Sequence, residues 1–156
     1  MKNKELFNRT IAILVKAYQK GTLIHGDCHA CAVGNLVAFN TGREVMCIDS
    51  EFGIMAWSDE RCPYWGDVFT TNFLGQMIYP KNYVGEAKLE IDSTGYSMED
   101  LAIIEKAFES VEIKENSEEN SDQHQFDGLM AVVDALMIIH ECTTEEAEEA
   151  KLLFVK

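Results

Sequence analysis

Apolar side chains at Phe7, Ile11, Leu14, Val15 and Tyr18 recur at helical spacing, and Gly21 follows where a left-handed C-terminal cap would sit. Residues 4–20 therefore predict an amphipathic helix. Thr22 to Ile24 reads as a short extended step. Asp27 is then placed to cap a second helix from about Cys28 to Asn40. That segment is apolar on nearly every side, through Ala30, Cys31, Ala32, Val33, Leu36, Val37 and Phe39. A helix of this kind is normally enclosed, so the pattern predicts a central buried helix near residues 28–40.

Past Gly42 the periodicity weakens. Val45 to Ile48 is a short apolar run with the character of a strand, and residues 43–65 stay open between strand and loop. Asp67 to Ile78 predicts a helix ended by Pro80, and Tyr83 to Ile91 another, closed by the turn signal Asp92-Ser93-Thr94-Gly95. Ser97, three residues before Asp100, opens a helix with Leu101, Ile104, Ala107 and Phe108 on one side. Residues 112–124 are charged and polar and predict a mobile acidic loop. Phe126 to Ile139 is strongly apolar, and the stripe Leu129, Met130, Val133, Leu136, Met137 and Ile139 reads as core before it reads as a groove for a partner. Thr143 with Glu146 forms a capping box for a last helix ending near Phe154. The fold class expected is mainly α, one compact multi-helix domain over residues 1–156 with at most a minor β element.

Composition narrows the function classes. A chain of 156 residues that is 47% hydrophobic can bury a genuine core. Its 27 acidic against 13 basic residues give a formal charge of −14, a field that repels phosphate backbones and anionic membrane surfaces. Nucleic acid and membrane are disfavoured as partners, and a basic protein partner is the one such a surface would steer. The five cysteines are an odd number, the chain opens into an amphipathic pattern, and no apolar run approaches the length of a membrane span. The expected compartment is a reducing cytoplasm.

One stretch is chemically pointed: His25-Gly26-Asp27-Cys28-His29-Ala30-Cys31. Imidazoles and thiols at such close spacing can converge on zinc, but a closed site needs four ligands. Cys142, or His140 beside it, could complete a set with His25, Cys28 and Cys31 if the two regions meet. There is no second Cys-x-x-Cys, and Cys31 runs into the apolar helix, where a free cysteine usually serves as a small buried hydrophobe. No cofactor is expected, with zinc as the alternative. A second alternative makes Cys28 a reactive thiol in the first turn of a helix, with His25 or His29 as base.

The run Leu23-Ile24-His25-Gly26-Asp27-Cys28-His29, followed by Asn35 and by Met46-Cys47-Ile48-Asp49 with Glu51, resembles the catalytic segment of the aminoglycoside and choline kinase-like phosphotransferases. The resemblance implies Asp27 as the base for a substrate hydroxyl, with Asn35 and Asp49 holding magnesium on ATP. It covers residues 22–51. The gap between Asp27 and Asn35 is longer than in that family, and a single helix stands where the family carries a nucleotide-binding lobe. Coincidence is the favoured explanation, and a phosphotransferase remnant that lost catalysis is the alternative.

The string His25 to Asn35 also resembles one found in small uncharacterised bacterial and phage proteins with an acidic helical second half. That resemblance implies a bacterial or phage accessory protein and no particular chemistry. The favoured expectation is a small acidic helical module that binds rather than catalyses. Asp27 capping a buried helix would explain the pointed stretch without an active site.

Overall fold

The computed structural model describes residues 1–25, 31–42, 46–47, 54–55, 70–71, 77–78 and 92–155. Helix α1 spans Lys4–Lys20. Asn3 starts it, its side chain accepting from the Leu6 N–H at 3.2 Å. Gly21 ends it at φ 70°, the left-handed conformation a side chain resists, and its N–H donates back to the Tyr18 carbonyl at 3.2 Å. The amphipathic reading of residues 4–20 holds to both ends.

Helix α2 spans Ala32–Asn40, and every residue from Ala32 to Ala38 is buried. It is the central helix the apolar pattern demanded, with a different start. Its N-cap is Cys31, whose Sγ accepts from the Gly34 N–H at 3.3 Å, so the expectation of a helix from Cys28 capped by Asp27 is corrected. Asp27 itself lies outside the described residues. A cap must sit one residue before the first helical φ/ψ, and that place belongs to Cys31.

Two short antiparallel pairs follow. Strand β1 (Met46–Cys47) pairs with β2 (Ile54–Met55), Met46 opposite Met55, as the strand reading of residues 45–48 allowed. Strand β3 (Thr70–Thr71) pairs with β4 (Met77–Ile78), which corrects the expected helix over residues 67–78. The β-branched Thr70-Thr71 step and Gly75 both count against a helix interior. The helix expected over residues 83–91 lies outside the described residues.

Helix α3 spans Met98–Glu109 behind Ser97, whose Oγ accepts from the Asp100 N–H at 3.1 Å. Leu101, Ile104 and Phe108 are buried as read, while Ala107 is half-buried against the core. Helix α4 spans Asp122–Ile139 from the Ser121 cap, so the last three residues of the expected 112–124 loop belong to its first turn. Helix α5 spans Thr144–Lys151 behind a complete Thr143–Glu146 capping box, one turn shorter than expected. Helices α3 and α4 make the most extensive contact, and α2 is clasped between α1 and α3. Leu129, Val133 and Leu136 are buried, with Met130, Met137 and Ile139 packed partly buried against them, so the methionine stripe is core.

A buried polar chain ties α1 to the end of α4. The Thr10 hydroxyl donates to the Leu6 carbonyl at 2.8 Å, Tyr96 Oη lies 2.7 Å from Thr10 Oγ1 and 2.8 Å from His140 Nε2, and His140 Nδ1 donates to the Lys2 carbonyl at 2.7 Å. Tyr96 is the hub. Tyr96→Phe is expected to lower stability by about 1–2 kcal/mol, because it strips two buried groups of a partner. Urea unfolding would measure it, and an unchanged midpoint would mean that water replaces the hydroxyl.

Candidate functional site

The pointed stretch enters the core at His25. Its side chain is 6% exposed and sandwiched between parallel rings, with Phe108 at 4.1 Å and 3° and His124 at 3.7 Å and 16°. Asn120 holds it in place: its Oδ1 accepts from the His25 N–H at 2.6 Å and from Nδ1 at 2.9 Å. The Asn120 N–H in turn donates to His124 Nδ1 at 2.9 Å, and Gln125 donates to the Asn120 carbonyl at 3.0 Å. Asn120 reaches this pose at φ 57°, a left-handed conformation asparagine tolerates better than most residues. With Nδ1 donating, His25 Nε2 keeps a lone pair, which has no hydrogen-bond partner among the described residues. Burial pushes the His25 pKa below its ordinary 6.5; the Asn120 bond opposes that and His124 adds to it. The ring is held neutral.

Cys31 forms the second cluster. Besides capping α2, its Sγ donates to Glu105 Oε2 at 3.2 Å, and Glu109 lies close enough that ligand atoms of all three residues fall within 4.8 Å of one another. Burial, then Glu105, holds the Cys31 thiol well above its usual pKa. Burial is also the main influence on Glu105, whose pKa is raised to about 7 even though the Cys31 bond pulls it down; Glu109 raises it further. A thiol kept protonated and fully enclosed is a poor nucleophile. Three donors of sulfur and oxygen could touch a cation, yet among the described residues no fourth ligating group joins them, and a closed zinc site takes four.

Among the described residues, those singled out from sequence are distributed rather than gathered. His25 stacks on His124 in the first turn of α4, whereas Cys142 and His140 lie beyond its last turn, on the order of 25 Å away along an α-helix. Of the set proposed from sequence, the described members His25 and Cys142 are therefore far apart. Cys142 is half-buried, its thiol held up by burial and then by Glu146. Asn35 is a buried clip: its Oδ1 accepts from Thr22 Oγ1 at 3.0 Å, and its Nδ2 donates to the carbonyls of Thr22 at 3.0 Å and Cys31 at 3.1 Å. Asp27, Cys28, His29 and Asp49 lie outside the described residues.

Sequence reasoning missed the partners, Glu105, Glu109, Asn120 and His124. The signal for the last two was an Asn-Ser-Asp-x-His start inside a stretch read as loop. It also missed a groove of about 420 Å³ between α1 and α5. Phe7, Ile11 and Ala150 form its buried apolar floor, and Ala12 leaves one wall low. Glu146 and Glu149 stand on the α5 side, opposite Lys4. Leu153, 55% exposed, also lines it, and its chain neighbours Leu152 and Val155 are 76% and 63% exposed.

Comparison with protein-family models, with curated protein sequences and with solved structures finds no match to this chain.

Proposed function

We propose that this chain is a non-enzymatic binding module that engages a basic partner through the α1–α5 groove. The observation that carries the reading is the groove itself, an apolar floor beside carboxylates on a chain of net charge −14. The described residues with chemical potential support it from the other side: His25, Cys31 and Asn35 are buried and engaged in internal hydrogen bonds. Accessible area and charge are what the described residues offer. Such a field accelerates encounter with a cationic surface without any catalytic residue.

The test is an amide-resolved NMR titration with poly-L-lysine at low and at physiological salt. Shifts concentrated on α1 and α5, weakening as salt screens the charges, are expected. Shifts spread evenly over every acidic surface would overturn the groove as the site. Magnesium-dependent ATP binding would overturn the non-enzymatic reading and restore the phosphotransferase alternative. Among the described residues no helix is long and apolar enough to cross a membrane, so the reading requires no bilayer.

A further inference from the structure

From the make-up of the groove we infer its occupant: an amphipathic helix of a partner protein, with apolar side chains at i, i+3 and i+4 on one face and a lysine or arginine beside them. This rests on the binding-module reading above and specifies its partner. Both walls are helical strips. Lys4, Asn8 and Ala12 run up α1 at four-residue spacing, and Glu146, Glu149 and Ala150 run along α5, with Leu153 just past its end. Backbone groups within helices are already paired, so there is no strand edge on which an extended peptide could add itself. What the two strips leave between them is a furrow for the side-chain ridge of a third helix.

The dimensions agree. From Lys4 to Ala12 the wall is about 12 Å long, which matches roughly two turns of an entering helix. Phe7 and Ile11 are buried at the floor, and Ala12 and Ala150 contribute only methyl groups, so the recess admits side chains larger than those lining it.

Charge selects the sign of the partner. Glu146 accepts from the Thr143 N–H at 3.0 Å in the capping box and feels the positive charges of the Met1 amino group and Lys4, so that it is already answered. The Glu149 carboxylate makes no hydrogen bond or ion pair among the described residues. A carboxylate left unpaired at the lip of an apolar furrow is complementary to one cation on the incoming face. A second copy of this chain fits worse, because each copy carries −14 and α5 presents Glu145, Glu146, Glu148 and Glu149.

The probe is a designed 14-residue peptide with leucines at i, i+3, i+4 and i+7 and one lysine flanking them, compared with a scramble of the same composition and with its Lys→Glu counterpart. Fluorescence anisotropy with the full chain is expected to give binding at least about tenfold tighter for the patterned peptide than for the scramble. Glu149→Lys should weaken the lysine peptide about tenfold and strengthen the glutamate peptide, a charge swap that a merely unfolded variant could not produce. Ala12→Trp, at an exposed position, should fill the furrow and abolish binding while leaving the thermal midpoint in place. Equal, salt-sensitive binding of patterned and scrambled peptides would overturn the helical occupant while leaving the acidic-surface reading intact. Failure of the peptides and of poly-L-lysine alike would overturn both. Concentration-dependent dimers disrupted by Ala12→Trp would replace the partner helix with a second copy.

Discussion

Replacing Glu105 by Gln is expected to stabilise the protein at pH 8 by about 2–3 kcal/mol and to raise its Tm by roughly 5–10 °C. The carboxyl titrates at about 7 in the folded chain against an ordinary 4.5, and burial is the main reason. A group whose folded pKa is raised contributes its full stability below the unfolded value and loses it as pH rises through the folded one. The loss therefore runs from about pH 4.5 to just above 7, at about 1.4 kcal/mol for each pH unit between the two values. Glutamine keeps an acceptor for the Cys31 thiol, which donates to Oε2 at 3.2 Å, and removes the charge that burial and Glu109 oppose.

Urea unfolding of wild type and Glu105→Gln at pH 5 and pH 8 separates the effect from ordinary repacking. The variant should gain at pH 8 and come within about 1 kcal/mol of wild type at pH 5, where the folded Glu105 is protonated and only the unfolded chain's carboxyl is still ionised. Equal gains at the two pH values would show that charge is not the cause. His25 works in the opposite sense. Its folded pKa lies below 6.5, so its contribution is present above that value and is lost as pH falls below it, when the unfolded chain takes up the proton first. In the Glu105→Gln protein that acid-side loss should stand out, and His25→Gln should flatten it.

The fold was legible where local chemistry and burial agree. Gly21 and the Thr143–Glu146 box lie where residue type alone put them, and the all-round apolar run Ala32–Ala38 is the central helix because no face of it could meet water. The start of α2 was less legible, because Asp27 has a stronger intrinsic capping preference than Cys31, and only the packing of Cys31 against Glu105 decides the matter. Thr70-Thr71 went astray for a related reason: a period read over twelve residues does not register a two-residue strand pairing with Met77–Ile78.

The chemistry was legible only by half. His25 and Cys31 could be flagged from spacing, but what each does is set by residues on α3 and around the start of α4, about 75 to 100 positions away in sequence, which no local pattern connects to them. The groove left no trace either. Its floor consists of the same Phe7 and Ile11 that mark α1 as amphipathic, and an alanine on a helix reads as a helix former until the neighbouring helix shows what it leaves open.

Phe108 is where the buried histidine and the main helix interface meet, and Phe108→Ala is expected to lower stability by about 3–5 kcal/mol. The ring is completely buried, lies flat on His25, and faces α4 at Gly128. A Cβ added at Gly128 would stand 2.8 Å from His25 Nε2 and 2.8 and 3.0 Å from two ring carbons of Phe108, closer than side chains tolerate. An alanine in mid-helix ordinarily gains about 1 kcal/mol over glycine. Here overpacking against two stacked rings, of order 1–3 kcal/mol, offsets or exceeds that gain, so Gly128→Ala alone should lose up to about 2 kcal/mol. With Phe108 truncated the clash on that side vanishes and His25 is free to shift, and the same substitution should become neutral or stabilising. A double-mutant cycle by urea unfolding would read this as a coupling of about 2 kcal/mol. Additivity of the two substitutions would mean that α4 moves away from α3 as a unit, and that Gly128 marks a close approach the fold can relax.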